Sequence, residues 1–76
     1  MFENKVAVVT GGAKGIGKCI CREFEKTGAR VCTIDLDDNP YFEGDISDEA
    51  ALCRFAEKVI AEYGHVDFLV NNVNIH

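Results

Sequence analysis

Apolar and polar residues alternate along this chain in four strand-like runs and two helix-like stretches. Lys5-Val6-Ala7-Val8-Val9-Thr10 is nearly continuous and rich in β-branched residues, the pattern of a strand buried on both faces of a parallel sheet. From Gly15 to Thr27 the period changes. Ile16, Cys19, Ile20 and Phe24 recur at helical spacing, Lys18, Arg22, Glu25 and Lys26 take the other side, and Gly28 supplies a stop. Ala29–Asp35 returns to strand character. Strand, glycine turn, helix, strand is a βαβ unit, and a right-handed crossover makes its two strands parallel neighbours.

Only Leu36-Asp37-Asp38-Asn39-Pro40 separates Asp35 from the next strand-like run, about Tyr41 to Asp45, and Pro40 interrupts any helix attempted there. The second crossover is predicted to be an extended loop. Such a loop travels at most about 3.4 Å per residue, so the third strand is predicted to be short and weakly held. Ser47 reads as the N-cap of a second helix, with Asp48 and Glu49 at its positive end and Leu52, Phe55, Ala56, Val59, Ile60 and Tyr63 marking one face before Gly64. Val66–Val70 follows as a fourth strand. The fold class is therefore α/β: a partial Rossmann fold whose parallel sheet of four strands runs in the order 3-2-1-4, with one helix on each face.

Composition narrows the functional classes. The 76 residues allow one small core at most, and 47% apolar with 28% charged residues is the balance of a globular chain. Thirteen acidic residues oppose eight basic ones, for a formal charge of −5, and the cations are scattered. Nucleic acid and anionic membranes are thus not expected as partners. The N-terminus lacks the pattern of a signal peptide, and no apolar run is long enough to span a bilayer. Cys19, Cys21, Cys32 and Cys53 have neither zinc-site spacing nor disulfide density, which predicts reduced thiols in a cytoplasmic protein without a metal.

The candidate chemistry lies where the first strand hands over to the first helix, at Thr10-Gly11-Gly12-Ala13-Lys14-Gly15-Ile16-Gly17. Gly11 allows a tight turn, Gly15 lets backbone N–H groups approach a pyrophosphate, and Gly17 lets helix and strand pack closely. The helix N-terminus then faces the anion, which makes Gly11, Lys14, Gly15, Ile16 and Gly17 the candidate phosphate-binding residues. Asp35 ends the second strand about 20 residues further on, where a carboxylate accepts hydrogen bonds from an adenosine ribose and repels a 2′-phosphate. With Leu36 beside it, Asp35 points to NAD rather than NADP. Lys14 argues mildly the other way, because a cation there could pair with a 2′-phosphate, and Asp35 outweighs it.

The turn resembles the N-terminal Thr-Gly-x-x-x-Gly-x-Gly signature of the short-chain dehydrogenase/reductase family, matched by Thr10, Gly11, Gly15 and Gly17. Asp45-Ile46 resembles that family's acidic-apolar pair beside the adenine ring, and Asn71-Asn72 resembles the start of its Asn-Asn-Ala-Gly motif, with Val73-Asn74 standing where the family has Ala-Gly. The resemblance covers essentially the whole chain. It implies a nicotinamide cofactor, with Asp45, Ile46 and Asn72 joining the cofactor site, and hydride transfer between that cofactor and an alcohol or carbonyl. The family's Ser and Tyr-x-x-x-Lys lie further downstream, and Tyr41 and Tyr63 have Asp45 and Asp67 four residues on instead of Lys. Residues 1–76 are thus expected to be a truncated NAD-binding domain that is inactive by itself. The alternative is a non-catalytic nucleotide-binding or self-assembling module. The open edge of Phe68-Leu69-Val70 predicts pairing with another chain, giving a homo-oligomer. His65 and His76 are expected to be solvated.

Overall fold

A computed structural model of the chain describes residues 2–12 and 15–72. The elements are β1 (Val6–Thr10), α1 (Gly15–Lys26), β2 (Arg30–Asp35), β3 (Phe42–Glu43), α2 (Glu49–Tyr63) and β4 (Phe68–Asn71). All pairings are parallel and the strand order is β3-β2-β1-β4, as the sequence predicts. The order reverses between β1 and β4, and at such a switch point the carboxyl ends of the strands leave a crevice.

Side chains alternate across the sheet. Val6 and Val8 of β1 and Cys32 and Ile34 of β2 meet Phe55 and Val59 of α2, with Tyr41, Phe42, Ile46 and Tyr63 packed around them. On the opposite face lie Ala7, Val9 and Thr33, all buried, under α1. There the rings of Phe2, Phe24 and Phe68 form a triangle, with centroids 5.2–6.4 Å apart, that fastens the start of the chain and α1 to β4.

Several predicted details are corrected. In α1 the inward row is Gly17, Ile20, Cys21 and Phe24, whereas Ile16 is 69% exposed and Cys19 is exposed. Gly17 packs closely against the Gly11 carbonyl, just past the end of β1. The N-cap of α2 is Asp48, whose carboxylate accepts from the Ala50 amide, and not Ser47. Ser47 instead donates from both its amide and its hydroxyl to Asp45. Ala51 joins the core, while Leu52 and Ile60 stay 36% and 53% exposed. They lie on the flank of α2 opposite Lys58 and Glu62, which reach Tyr41.

The third strand shrinks to the pairs Ile34↔Phe42 and Asp35↔Glu43, because the helix-free crossover reaches only the last two residues of β2. The fourth begins at Phe68 instead of Val66 and runs on to Asn71. Asp67 is spent on joining strands: its carboxylate accepts the Val6 amide at 2.8 Å and its own amide donates to the Val6 carbonyl. His65, half exposed, sets one ring nitrogen 2.9 Å from Asp67 Oδ2 and 3.1 Å from the Asn4 carbonyl, so it fastens this turn.

Cys21 and Cys32 are buried and Cys19 and Cys53 exposed, none in a disulfide; burial pushes the two inner thiols up, away from the reactive thiolate form. Among the described residues no cluster of His, Cys, Asp and Glu could hold a metal ion, and no helix is long and apolar enough to cross a membrane.

Candidate nucleotide-binding corner

The carboxyl ends of β1 and β4 meet the amino end of α1 at a corner built from glycine and asparagine. Gly11 turns the chain at φ +69° and its amide donates to the Ile34 carbonyl. A Cβ at Gly11 would lie 2.8 Å from the Asn72 carbonyl oxygen, and a Cβ at Gly17 would lie 2.2 Å from the Gly11 carbonyl oxygen and 2.7 Å from Asn72 Nδ2. No side chain fits either place. The Asn72 side-chain amide donates to the Gly11 carbonyl, and its backbone amide donates to Thr10 Oγ1. The Thr10 hydroxyl in turn donates to Asn71 Oδ1. Two consecutive asparagines thus close the turn from the β4 side.

Gly15 is different. It is exposed, sits at φ +59° at the first position of α1, and a Cβ built there would have no other described residue within 4 Å. The first turn of α1 carries no acidic residue, in contrast with α2, where Asp48 caps the helix and Glu49 follows it. Among the described residues, none therefore fills the space at Gly15 on the positive end of α1, and Ile16 is exposed beside it.

The remaining predicted residues line the same edge of the sheet. Asp35 ends β2 and accepts the Asp37 amide on Oδ1, while its carbonyl accepts the Gly44 amide. Leu36, next to it, is 65% exposed. Asp45 and Ile46 follow β3: Ile46 rests on the core, and the hydroxyl and amide of Ser47 hold the Asp45 carboxyl below its ordinary range. Gly11, Gly15, Ile16, Gly17, Asp35, Leu36, Asp45, Ile46 and Asn72 are thus gathered along the carboxyl ends of parallel strands. Lys14 lies outside the described residues, as do Val73, Asn74 and His76.

Sequence reasoning missed Gly12, whose Cβ would collide with Thr33 Cγ2 at 2.7 Å, and Asn39, the hub of the β2–β3 loop described below. A second glycine in a glycine-rich turn and an asparagine before proline were signals, but their partners lie across the fold.

An open sheet with a strand-glycine-helix corner at its switch point defines a Rossmann-type dinucleotide-binding unit. The family model of the short chain dehydrogenases matches residues 5–76, and the chain belongs to that family. It is 38% identical to zerumbone synthase of Zingiber zerumbet over 97% of this chain and 33% of that protein. It is 33% identical to L-fucose dehydrogenase of Rattus norvegicus over 99% of this chain and 32% of that protein. The structure resembles ligand-free aldohexose dehydrogenase of Thermoplasma acidophilum, with a TM-score of 0.88 and 30% identity over 97% of this chain and 31% of that one. It equally resembles a metagenomic short-chain oxidoreductase in complex with NADP, with a TM-score of 0.88 and 32% identity over 97% of this chain and 41% of that one. The chain spans about a third of the length of the curated relatives it matches.

Proposed function

We propose that residues 1–76 act as the NAD-holding part of an oxidoreductase that moves hydride between nicotinamide and an alcohol or carbonyl, with the acid-base residues lying outside this chain. The observation that carries the reading is Gly15: an exposed glycine in a left-handed conformation, with no other described residue within 4 Å of a Cβ built there, at a helix start whose first turn has no carboxylate. A diphosphate fits that space and meets the first amides of α1. Asp35 would accept the ribose hydroxyls, and Asp45 with Ile46 would border the adenine. Asn72, by fixing Gly11, would keep the turn in shape. The cofactor, when bound, supplies the hydride acceptor.

Choosing NAD over NADP rests on Asp35, whose negative charge opposes a 2′-phosphate; the metagenomic neighbour, by contrast, is in complex with NADP. Tyr41 is a poor candidate for the proton donor, since burial and its hydrogen bond to Glu62 push its phenol well above the ordinary range. Four unpaired thiols fit a reducing, cytoplasmic setting.

Calorimetric titration with NAD, NADP and AMP tests the assignment. NAD is expected to bind more tightly than NADP, with measurable affinity for AMP. Asp35→Ala is expected to weaken NAD about 10- to 100-fold, the worth of a hydrogen bond to a charged group, without weakening NADP. Silence toward all three nucleotides overturns the reading.

A second role, as a self-assembling module, draws support from the β4 edge. Leu69 is 69% exposed there, and Leu52 and Ile60 of α2 are uncovered on the flank away from β3. Pairing of two β4 edges would satisfy their outer backbone groups and cover this apolar surface. Light scattering is expected to show a dimer that Leu69→Lys converts to monomer; a monomeric parent chain at high micromolar concentration removes the idea.

A further inference from the structure

A parallel crossover without a helix must find partners for its backbone groups by other means. Between Asp35 and Phe42 much of that work falls to one side chain. Asn39 Oδ1 accepts hydrogen bonds from Thr33 Oγ1 at 2.8 Å, the Phe42 amide at 3.0 Å and the Tyr41 amide at 3.1 Å. Its Nδ2 donates to the carbonyls of Asp37 at 2.9 Å and Phe42 at 3.0 Å. Both donors of the amide are used and its oxygen is saturated. Thr33 is buried in the middle of β2, so Asn39 ties the loop to the buried interior of the sheet.

The consequence reaches Asp35. Asp37 is gripped from two sides: its amide by the Asp35 carboxylate at 2.9 Å, its carbonyl by Asn39. The direction of the Asp35 carboxylate therefore depends on where Asn39 holds Asp37. The same asparagine fixes Phe42, the first residue of β3, which leads on to Asp45 and Ile46. Beyond it, Tyr41 stands edge-on to Phe55, donates its hydroxyl to Glu62, and receives Lys58 Nζ on its carbonyl. The loop is thus anchored to the sheet at Asn39 and to α2 at Tyr41.

We infer that Asn39 is a positioning residue for nucleotide recognition: without touching the ligand, it aims Asp35 at the adenosine ribose and so sets the preference for NAD over NADP. This rests on the nucleotide-binding reading above. The informative variant is Asn39→Asp, which keeps the oxygen that serves Thr33 and the Tyr41 and Phe42 amides but replaces the donor to the Asp37 and Phe42 carbonyls with an acceptor.

Titrations of the 76-residue chain with AMP, NAD, NADP and inorganic pyrophosphate test it. Asn39→Asp is expected to weaken AMP and NAD about tenfold, as the loss of such hydrogen bonds implies, to shrink the NAD-to-NADP ratio, and to leave pyrophosphate binding unchanged. In an Asp35→Ala background the same substitution is expected to change AMP affinity less than twofold, because the two residues act as one unit. Thr33→Val, nearly isosteric, removes one anchor of Asn39 and is expected to lower the NAD-to-NADP ratio in the same direction, which provides a test should Asn39→Asp not fold. An unchanged ratio in Thr33→Val, a parallel loss of pyrophosphate binding in Asn39→Asp, or full additivity with Asp35→Ala would overturn the assignment of Asn39 while leaving nucleotide binding intact. Absence of any Asp35-dependent binding in the parent chain would overturn both.

Discussion

Gly17→Ala is expected to lower the melting temperature by about 8–16 °C and to abolish nucleotide binding, although alanine is the better helix former. The gain in helix propensity is about 1 kcal/mol. Against it stands a Cβ placed 2.2 Å from the Gly11 carbonyl oxygen and 2.7 Å from Asn72 Nδ2, far inside the roughly 3.5–4.0 Å of an ordinary contact between carbon atoms. The first of these neighbours is backbone and the second is held by its own hydrogen bond to Gly11, so relief requires moving α1 away from β1. Overpacking of this kind costs about 1–3 kcal/mol or more, and the rigidity of both neighbours places this site at the upper end. A net loss of about 2 kcal/mol gives the stated shift for a chain of this size. Gly15→Ala is the comparison that separates stability from binding. Its Cβ would meet no other described residue, so the cost is that of the left-handed backbone, about 1–2 kcal/mol, yet the methyl group would stand where the diphosphate is proposed to sit. Differential scanning calorimetry alongside nucleotide titration reads both effects. A Gly17→Ala protein as stable as the parent would contradict the contact between helix and strand.

Ile34→Ala is expected to leave the chain largely unfolded at 25 °C. Ile34 is fully buried among Val6, Val8, Cys32, Phe55 and Val59, so it joins β1, β2 and α2 in the one core cluster. Truncation of such a residue costs about 2–5 kcal/mol, the lost transfer energy plus the cavity left behind. A chain of this length holds about 3–5 kcal/mol in reserve, so the two quantities are comparable. The effect extends to the site, because the Ile34 carbonyl accepts the Gly11 amide at 2.8 Å. Leu36→Ala, two residues along and 65% exposed, is expected to change stability by less than about 0.5 kcal/mol. Urea unfolding followed by far-UV circular dichroism distinguishes them; a cooperative transition for Ile34→Ala at the midpoint of the parent chain would refute the placement of the core.

The strands and the glycine corner were legible because their signals are local. A β-branched run ending in glycine encodes a buried parallel strand, and Pro40 with too few residues around it excludes a helix. Register and rotation were not legible. Ile16 and Cys19 share helical spacing with Ile20 and Phe24, and periodicity alone gives a wider apolar stripe than this chain covers. Gly17, packed against the Gly11 carbonyl just past β1, lies on the row that turns inward. In the same way Ser47 and Asp48 are both good caps by composition, and the turn built on Asp45 left the role to Asp48.

Sequence by itself determined the order of elements, the parallel sheet and the identity of the residues at the carboxyl edge, since hydrophobic period, crossover handedness and glycine placement act over a few residues at a time. Tertiary structure alone decided the partnerships across 61 and 62 residues that close the corner, Asn71 with Thr10 and Asn72 with Gly11 and Thr10, and the place of Asn39 beneath the β2–β3 loop. The physical reason is that a hydrogen bond between distant segments depends on where the packed core brings their backbones, and no local pattern of residue types carries that distance.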